Sequence, residues 1–137
     1  MSLKLPSSST YATKTAVHTN HAPEALGPYS QATQAGPWLF LSGQIPLLTS
    51  GQLCPGGIRE QTQQVLQNLQ AVLEAAGGSL QNVMQTTCYL CALSDFQAFN
   101  EVYAQHFKAP FPARATVEVK ALPKNALVEI SALAYLG

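Results

Sequence analysis

Apolar residues change rhythm several times along the chain, and each change marks an element. Lys14 to Thr19 alternates weakly and predicts a short edge strand. Gly27-Pro28 interrupts the chain before Tyr29 to Gln34, and Gly36-Pro37 separates that segment from Trp38-Leu-Phe-Leu-Ser42. Two short strands flanking a Gly-Pro turn read as a hairpin. Pro46, Pro55, Gly51, Gly56 and Gly57 then mark Gln44 to Gly57 as a loop.

From Ile58 to Ala76 the period becomes helical. Val65, Leu66, Leu69, Val72, Leu73 and Ala76 recur at three- and four-residue intervals, with glutamines on the other side. Gly77-Gly78 stops this helix. Val83 to Leu90 predicts a strand, after which Ser94 and Gln97 have the spacing of a capping box for a second helix. Phe96, Phe99, Val102, Tyr103 and Phe107 form its apolar face, and Pro110 and Pro112 follow it. Ala113 to Val119 and Leu127 to Tyr135 are the last strands, joined by a turn at Leu122-Pro-Lys-Asn125.

The order β-β-β-α-β-α-β-β predicts one α+β domain spanning 1–137, with residues 1–13 a loose extension. Both helices are expected on one face of a mixed sheet. The other face then needs cover, which a chain of this size obtains from further copies of itself, as a dimer or trimer.

Composition narrows the function. The chain is 47% apolar and 10% charged, with seven basic and seven acidic residues and zero formal net charge. That excludes disorder over most of its length and supplies no field to concentrate nucleic acid or an anionic membrane. No apolar stretch approaches the roughly 20 residues of a membrane span. The first 26 residues hold Lys4 and Lys14 but no arginine, so a cytoplasmic location is expected, with a mitochondrial one as the alternative.

The cysteines are Cys54, Cys88 and Cys91. Cys88 and Cys91 have redox or zinc spacing, but positions three apart on a strand point to opposite faces, so packing is the expected role. His18, His21 and His106 show no metal spacing with them.

Only two arginines occur, and Arg114 lies in Pro110-Phe-Pro-Ala-Arg-Ala-Thr-Val-Glu-Val119. A guanidinium among Pro, Ala and Val incurs a desolvation cost unless an anion meets it. Either Glu118 or Glu129 pairs with it structurally, or Arg114 floors an anion-binding site. Strand parity groups Arg114 with Thr116 and Glu118, and the apolar set Ala113, Ala115, Val117 and Val119 is expected beneath the helices. Glu129 falls on the polar parity of its own strand. Arg114 and Glu129 are therefore expected on the same open side, where Glu129 handles a proton or orients water. Tyr29 after its Gly-Pro turn, the Ser42-Gly43 strand end and Asn100 are further candidates.

Gly27-Pro-Tyr-Ser-Gln-Ala32, Ser42-Gly-Gln-Ile-Pro46, Asn100-Glu-Val-Tyr103, Pro112-Ala-Arg114, and Leu122-Pro-Lys124 followed by Glu129 together resemble the RidA (YjgF/YER057c/UK114) family from about Lys14 to Leu136. The resemblance implies a chorismate-mutase-like α+β fold, a homotrimer with clefts between subunits, and no metal or organic cofactor. It implies hydrolytic deamination of 2-iminobutanoate and 2-iminopropanoate, products of pyridoxal-phosphate-dependent dehydratases, to 2-keto acids and ammonia. By it, Arg114 holds the substrate carboxylate and Glu129 attends the water, with Tyr29, Ser42, Gly43, Asn100 and Thr116 binding substrate. Many relatives carry cysteine where this chain has Thr116. Endoribonuclease action and non-catalytic metabolite binding by a trimer are the alternatives; zero net charge and the lack of a basic stripe weigh against nucleic acid as a partner.

Overall fold

The computed structural model describes residues 13–137, so all but the last residue of the expected amino-terminal extension lies outside it. Six strands form one sheet: β1 (Thr15–Val17), β2 (Ala32–Ala35), β3 (Trp38–Gln44), β4 (Val83–Leu90), β5 (Ala113–Glu118) and β6 (Val128–Tyr135). Their spatial order is β1-β2-β3-β6-β4-β5. Every neighbouring pair is antiparallel except β4–β5, which is parallel. Two α-helices, α1 (Ile58–Ala75) and α2 (Phe96–His106), complete the predicted order. A parallel pair needs a crossover, and the chain between β4 and β5 supplies it through α2.

The ends of α1 are made locally. Glu60 reaches back to accept a hydrogen bond from Gly57 N at 2.9 Å, and its charge suits the first turn of a helix. At the other end Gly77 adopts φ 88°. There Gly78 N donates to Leu73 O and Gly77 N to Glu74 O, which closes a Schellman motif. Between these ends the helical stripe is buried: Val65, Leu66, Leu69, Val72 and Leu73 are each at most 1% exposed. They pack with Leu39, Leu90, Phe99, Val128 and Ile130 in one core.

The start of α2 departs from the expected capping box. Leu93–Asp95 forms a short 3-10 turn, and Asp95 rather than Ser94 holds the N-cap position, without a side-chain bond. A tertiary contact serves the helix entry instead, because Glu118 on β5 accepts from Leu93 N at 2.8 Å.

Strand parity holds in the structure, but the facing of β5 is the reverse of that expected. Arg114 pairs with Thr86 and Thr116 with Cys88 across the parallel ladder. Thr86 and Cys88 are buried beneath the helices, so Arg114 and Thr116 share the helix side. The apolar parity faces the open side, where Val117 is 44% exposed. Phe40 on β3 is 52% exposed, and its strand neighbours Leu39 and Leu41 are buried in the core. Among the described residues, the far side of the sheet is thus left without cover.

Candidate active site

One cleft, of about 320 Å³, has Tyr29, Gly43, Lys124 and Glu129 among its lining, with Pro23 to Leu26 as a wall. Its geometry depends on an irregularity in β3. Leu41 pairs with Ala132 but Gln44 pairs with Ile130, so Ser42-Gly43 carries one residue more than β6 opposite. A bulge of this kind bends the strand and re-aims its side chains. Gly43 therefore passes close to Glu129: a Cβ at Gly43 would lie 2.6 Å from Glu129 Oε2. Glycine is needed here because the carboxylate fills the space a methyl group would take. Gly43→Ala is expected to displace Glu129 and lower activity by about tenfold or more at little cost to folding, measured by turnover beside a thermal melt.

The Glu129 side chain is half-buried on β6, opposite Tyr89. Among the described residues no hydrogen bond or ion pair engages its carboxylate. Desolvation by burial raises its pKa above the ordinary 4.5. Tyr29 is exposed, and its hydroxyl accepts from Leu26 N at 3.3 Å. Ser42 does not line this cleft. Its hydroxyl donates to Ser30 O at 2.6 Å, which fastens the hairpin to the preceding segment.

A second depression, of about 450 Å³, is lined by Asn100, Tyr103, Ala104, Phe111, Pro112 and Arg114. Arg114 is exposed there, and its guanidinium lies 4.8 Å from the ring centre of Tyr103 and 5.5 Å from that of Phe96. These aromatic faces support the cation with roughly 0.5–1 kcal/mol each at an exposed site. Asn100 Oδ1 accepts from Arg114 Nη1 at 2.8 Å, so the asparagine orients the guanidinium. Neither expected partner neutralises it. Glu118 is engaged with Leu93 N, Glu129 lies in the other cleft, and no carboxylate among the described residues forms an ion pair with Arg114.

The expectation that Arg114 and Glu129 share one side is thus corrected: within one chain they occupy opposite sides of the sheet and separate depressions. Beneath Arg114, Tyr103 Oη and Thr86 Oγ1 are 2.8 Å apart. Thr116 Oγ1 is buried and close to the Cys88 thiol without completing a hydrogen bond to it. Burial pushes that thiol up to about 11, against the lowering influence of Thr86 and the Arg114 charge. Cys91 lies just past the strand end and donates to Ala126 O at 3.2 Å; all three cysteines are free.

Lys124, part of the Leu122-Pro-Lys-Asn125 turn and of a family motif, is a cleft residue absent from the sequence-predicted site. Lys124 and Asn125 both take left-handed conformations, φ 56° and 58°, and Lys124 Nζ donates to Gly51 O at 2.9 Å. Asparagine at such a turn is a recognisable signal; lysine is not.

Two depressions of this composition, one cationic and one carboxylate-bearing, stand beside a clear relationship. A family model described as Endoribonuclease L-PSP matches residues 19–136. The chain belongs to this family, that of the RidA proteins. A RutC family protein of Pyrococcus horikoshii is 50% identical over 89% of this chain and 98% of its own. The 2-iminobutanoate/2-iminopropanoate deaminase of Homo sapiens is 46% identical, over 88% of this chain and 89% of its own. Among solved structures, that of E. coli TdcF with bound serine superposes with a TM-score of 0.85 at 37% identity, covering 90% of this chain and 99% of that one. The RidA-family identity accords with the six-stranded mixed sheet and its two helices. Within the described residues, no helix is long and apolar enough to cross a membrane, and no cluster of His, Cys, Asp and Glu could hold a metal ion.

Proposed function

We propose that this RidA-family chain hydrolyses small 2-imino acids, 2-iminobutanoate and 2-iminopropanoate, to 2-keto acids and ammonia. The observation that carries the reading is that Arg114 is oriented by Asn100 yet paired with no carboxylate among the described residues. A guanidinium presented in this way suits a substrate carboxylate bound through its fork. The human relative named as a deaminase and the serine-bound neighbour support a small amino-acid-like ligand.

In this reading the substrate is R–C(=NH₂⁺)–COO⁻. Arg114 holds the carboxylate and Glu129 accepts a hydrogen bond from water. Water adds to the electrophilic carbon while Glu129 takes its proton. The same proton then goes to the nitrogen of the tetrahedral adduct. Collapse breaks the C–N bond and forms the carbonyl, and the hydroxyl proton leaves with the ammonia as ammonium, so the reaction consumes one water and no cofactor. Placement does most of the work, because a protonated imine is already electrophilic.

Arg114 and Glu129 can serve one substrate only if different copies contribute them. We place the complete site between subunits, in a homotrimer that also covers the open sheet face bearing Phe40 and Val117. Complementation tests this arrangement. Arg114→Ala and Glu129→Gln are each expected to retain no more than about 1% of wild-type turnover alone. Unfolded and refolded together in equal amounts, they are expected to recover about one quarter of wild-type turnover, since random pairing leaves both halves intact at that share of sites. Turnover is read as keto-acid release when a dehydratase generates the imine in the same cuvette. No recovery, with mixed oligomers present, would reject the shared site. Asn100→Ala is expected to raise KM about tenfold in that assay by freeing the Arg114 guanidinium, with the melting temperature little changed.

The family description also raises RNA cleavage. With seven basic and seven acidic residues the chain has no general attraction for a polyanion, and short RNA is expected to survive incubation with it.

A further inference from the structure

We propose that Gln31 is a positioning residue that sets the spacing between the two walls of the Glu129 cleft. The inference rests on the proposed use of that cleft. Residues 18–31, between β1 and β2, contain no strand or helix, so no ladder holds the wall formed by Pro23 to Leu26. Side chains hold it instead: Tyr29 Oη accepts from Leu26 N and His18 meets Glu24 at its exposed end, while Gln31 holds the buried end. Gln31 is 3% exposed, and its Oε1 accepts from Thr19 N at 2.7 Å. Its Nε2 donates to Thr19 O at 3.0 Å and to Pro23 O at 2.8 Å, with Ala22 O at 3.5 Å. Pro23 has no N–H, so its carbonyl is its only backbone handle. The carboxamide thus satisfies backbone groups that would otherwise be buried unpaired, as the burial of Thr19, Ala22 and Pro23 requires.

The backbone of the same residue is tied to the opposite wall. Gln31 O accepts from Ser42 N at 3.0 Å, inside the bulge that brings Gly43 against Glu129. Gln31 therefore joins the loop wall, through its side chain, to the carboxylate side, through its main chain. A glutamine fits this task because it carries an acceptor and two donors on one planar group. No neighbouring group needs to be charged for the clamp to work.

Gln31→Met keeps the volume and removes all of the side-chain hydrogen bonds. Amide hydrogen exchange across residues 19–26 is expected to speed up at least about tenfold, while α1 and the sheet keep their protection. In imine hydrolysis KM is expected to rise about tenfold with kcat changed by less than about threefold, because a displaced wall weakens ground-state and transition-state binding alike. Val72→Ala, a core truncation remote from the cleft, is expected to lower the melting temperature and leave KM unchanged. If Gln31→Met fails to fold, Gln31→Glu, which keeps an acceptor and loses the Nε2 donations, is read by the same two measurements. Unchanged exchange over 19–26 overturns the clamp, and faster exchange with wild-type KM overturns its positioning role. A wild-type protein that does not hydrolyse the imine overturns the proposed function instead, and the exchange measurement still decides the clamp.

Discussion

Arg114→Ala is expected to lower kcat/KM for 2-iminobutanoate by roughly 10²–10⁴-fold while the fold survives. Two charge-assisted hydrogen bonds from the fork to a carboxylate, each worth about 1.5–3 kcal/mol, together account for a loss of that size. Stability should change little. The residue is exposed, and among the described residues its side chain makes one hydrogen bond, to Asn100, and lies over the faces of Phe96, Phe99 and Tyr103. Arg114→Lys keeps the charge but not the planar fork and is expected to lose at least about tenfold. Steady-state turnover beside a thermal melt separates the two effects. Near-normal turnover by the alanine variant would remove Arg114 from the mechanism.

Glu129→Gln is expected to cost about 10²-fold in kcat, the lower end of what a positioned general base supplies. Its effect on stability should run the other way. Burial raises the folded-state pKa of Glu129 above the ordinary 4.5, so the folded chain binds this proton more tightly than the unfolded chain. Stability from this group is therefore fully present below the ordinary carboxylate pKa. It falls as pH rises through the folded pKa, and the deficit persists at neutral pH. Glutamine removes that deficit, so the variant should melt higher than wild type at pH 7 and lose its advantage in acid. The rate profile gives a matching signature: the acidic limb of kcat lies above 4.5 in wild type and disappears in Glu129→Gln. An unaltered limb would assign the proton to another group.

Much of this architecture was legible along the chain because its signals are local. The helical stripe of α1, its Gly77 stop, the Gly36-Pro37 hairpin and the strand around Cys88 each depend on periodicity or on a turn residue within a few positions. The capping box at Ser94 was legible too, and it failed because a distant carboxylate, that of Glu118, serves the helix entry. The bulge at Ser42-Gly43 left no local mark beyond the glycine itself. Its purpose becomes visible only when Glu129 is seen against the position of the missing Cβ. Gln31 is equally silent in sequence, since a glutamine beside a strand gives no sign that it is buried and clamps residues 19 to 23.

Element order, the core stripe, the family motifs and the charged residues proposed to act on substrate are all readable along the chain. The sequence also determined which residues of each strand share a side, because alternation is a property of one strand alone. Which side meets the helices is settled by pairing with a neighbour. Arg114 follows Thr86 and Cys88 under α2, whereas Glu129 alternates with Val128 and Ile130 and so faces away from the core. Only the tertiary structure could therefore place the cation and the carboxylate on opposite sides of one sheet, since a strand carries its own alternation but takes its orientation from the strands beside it.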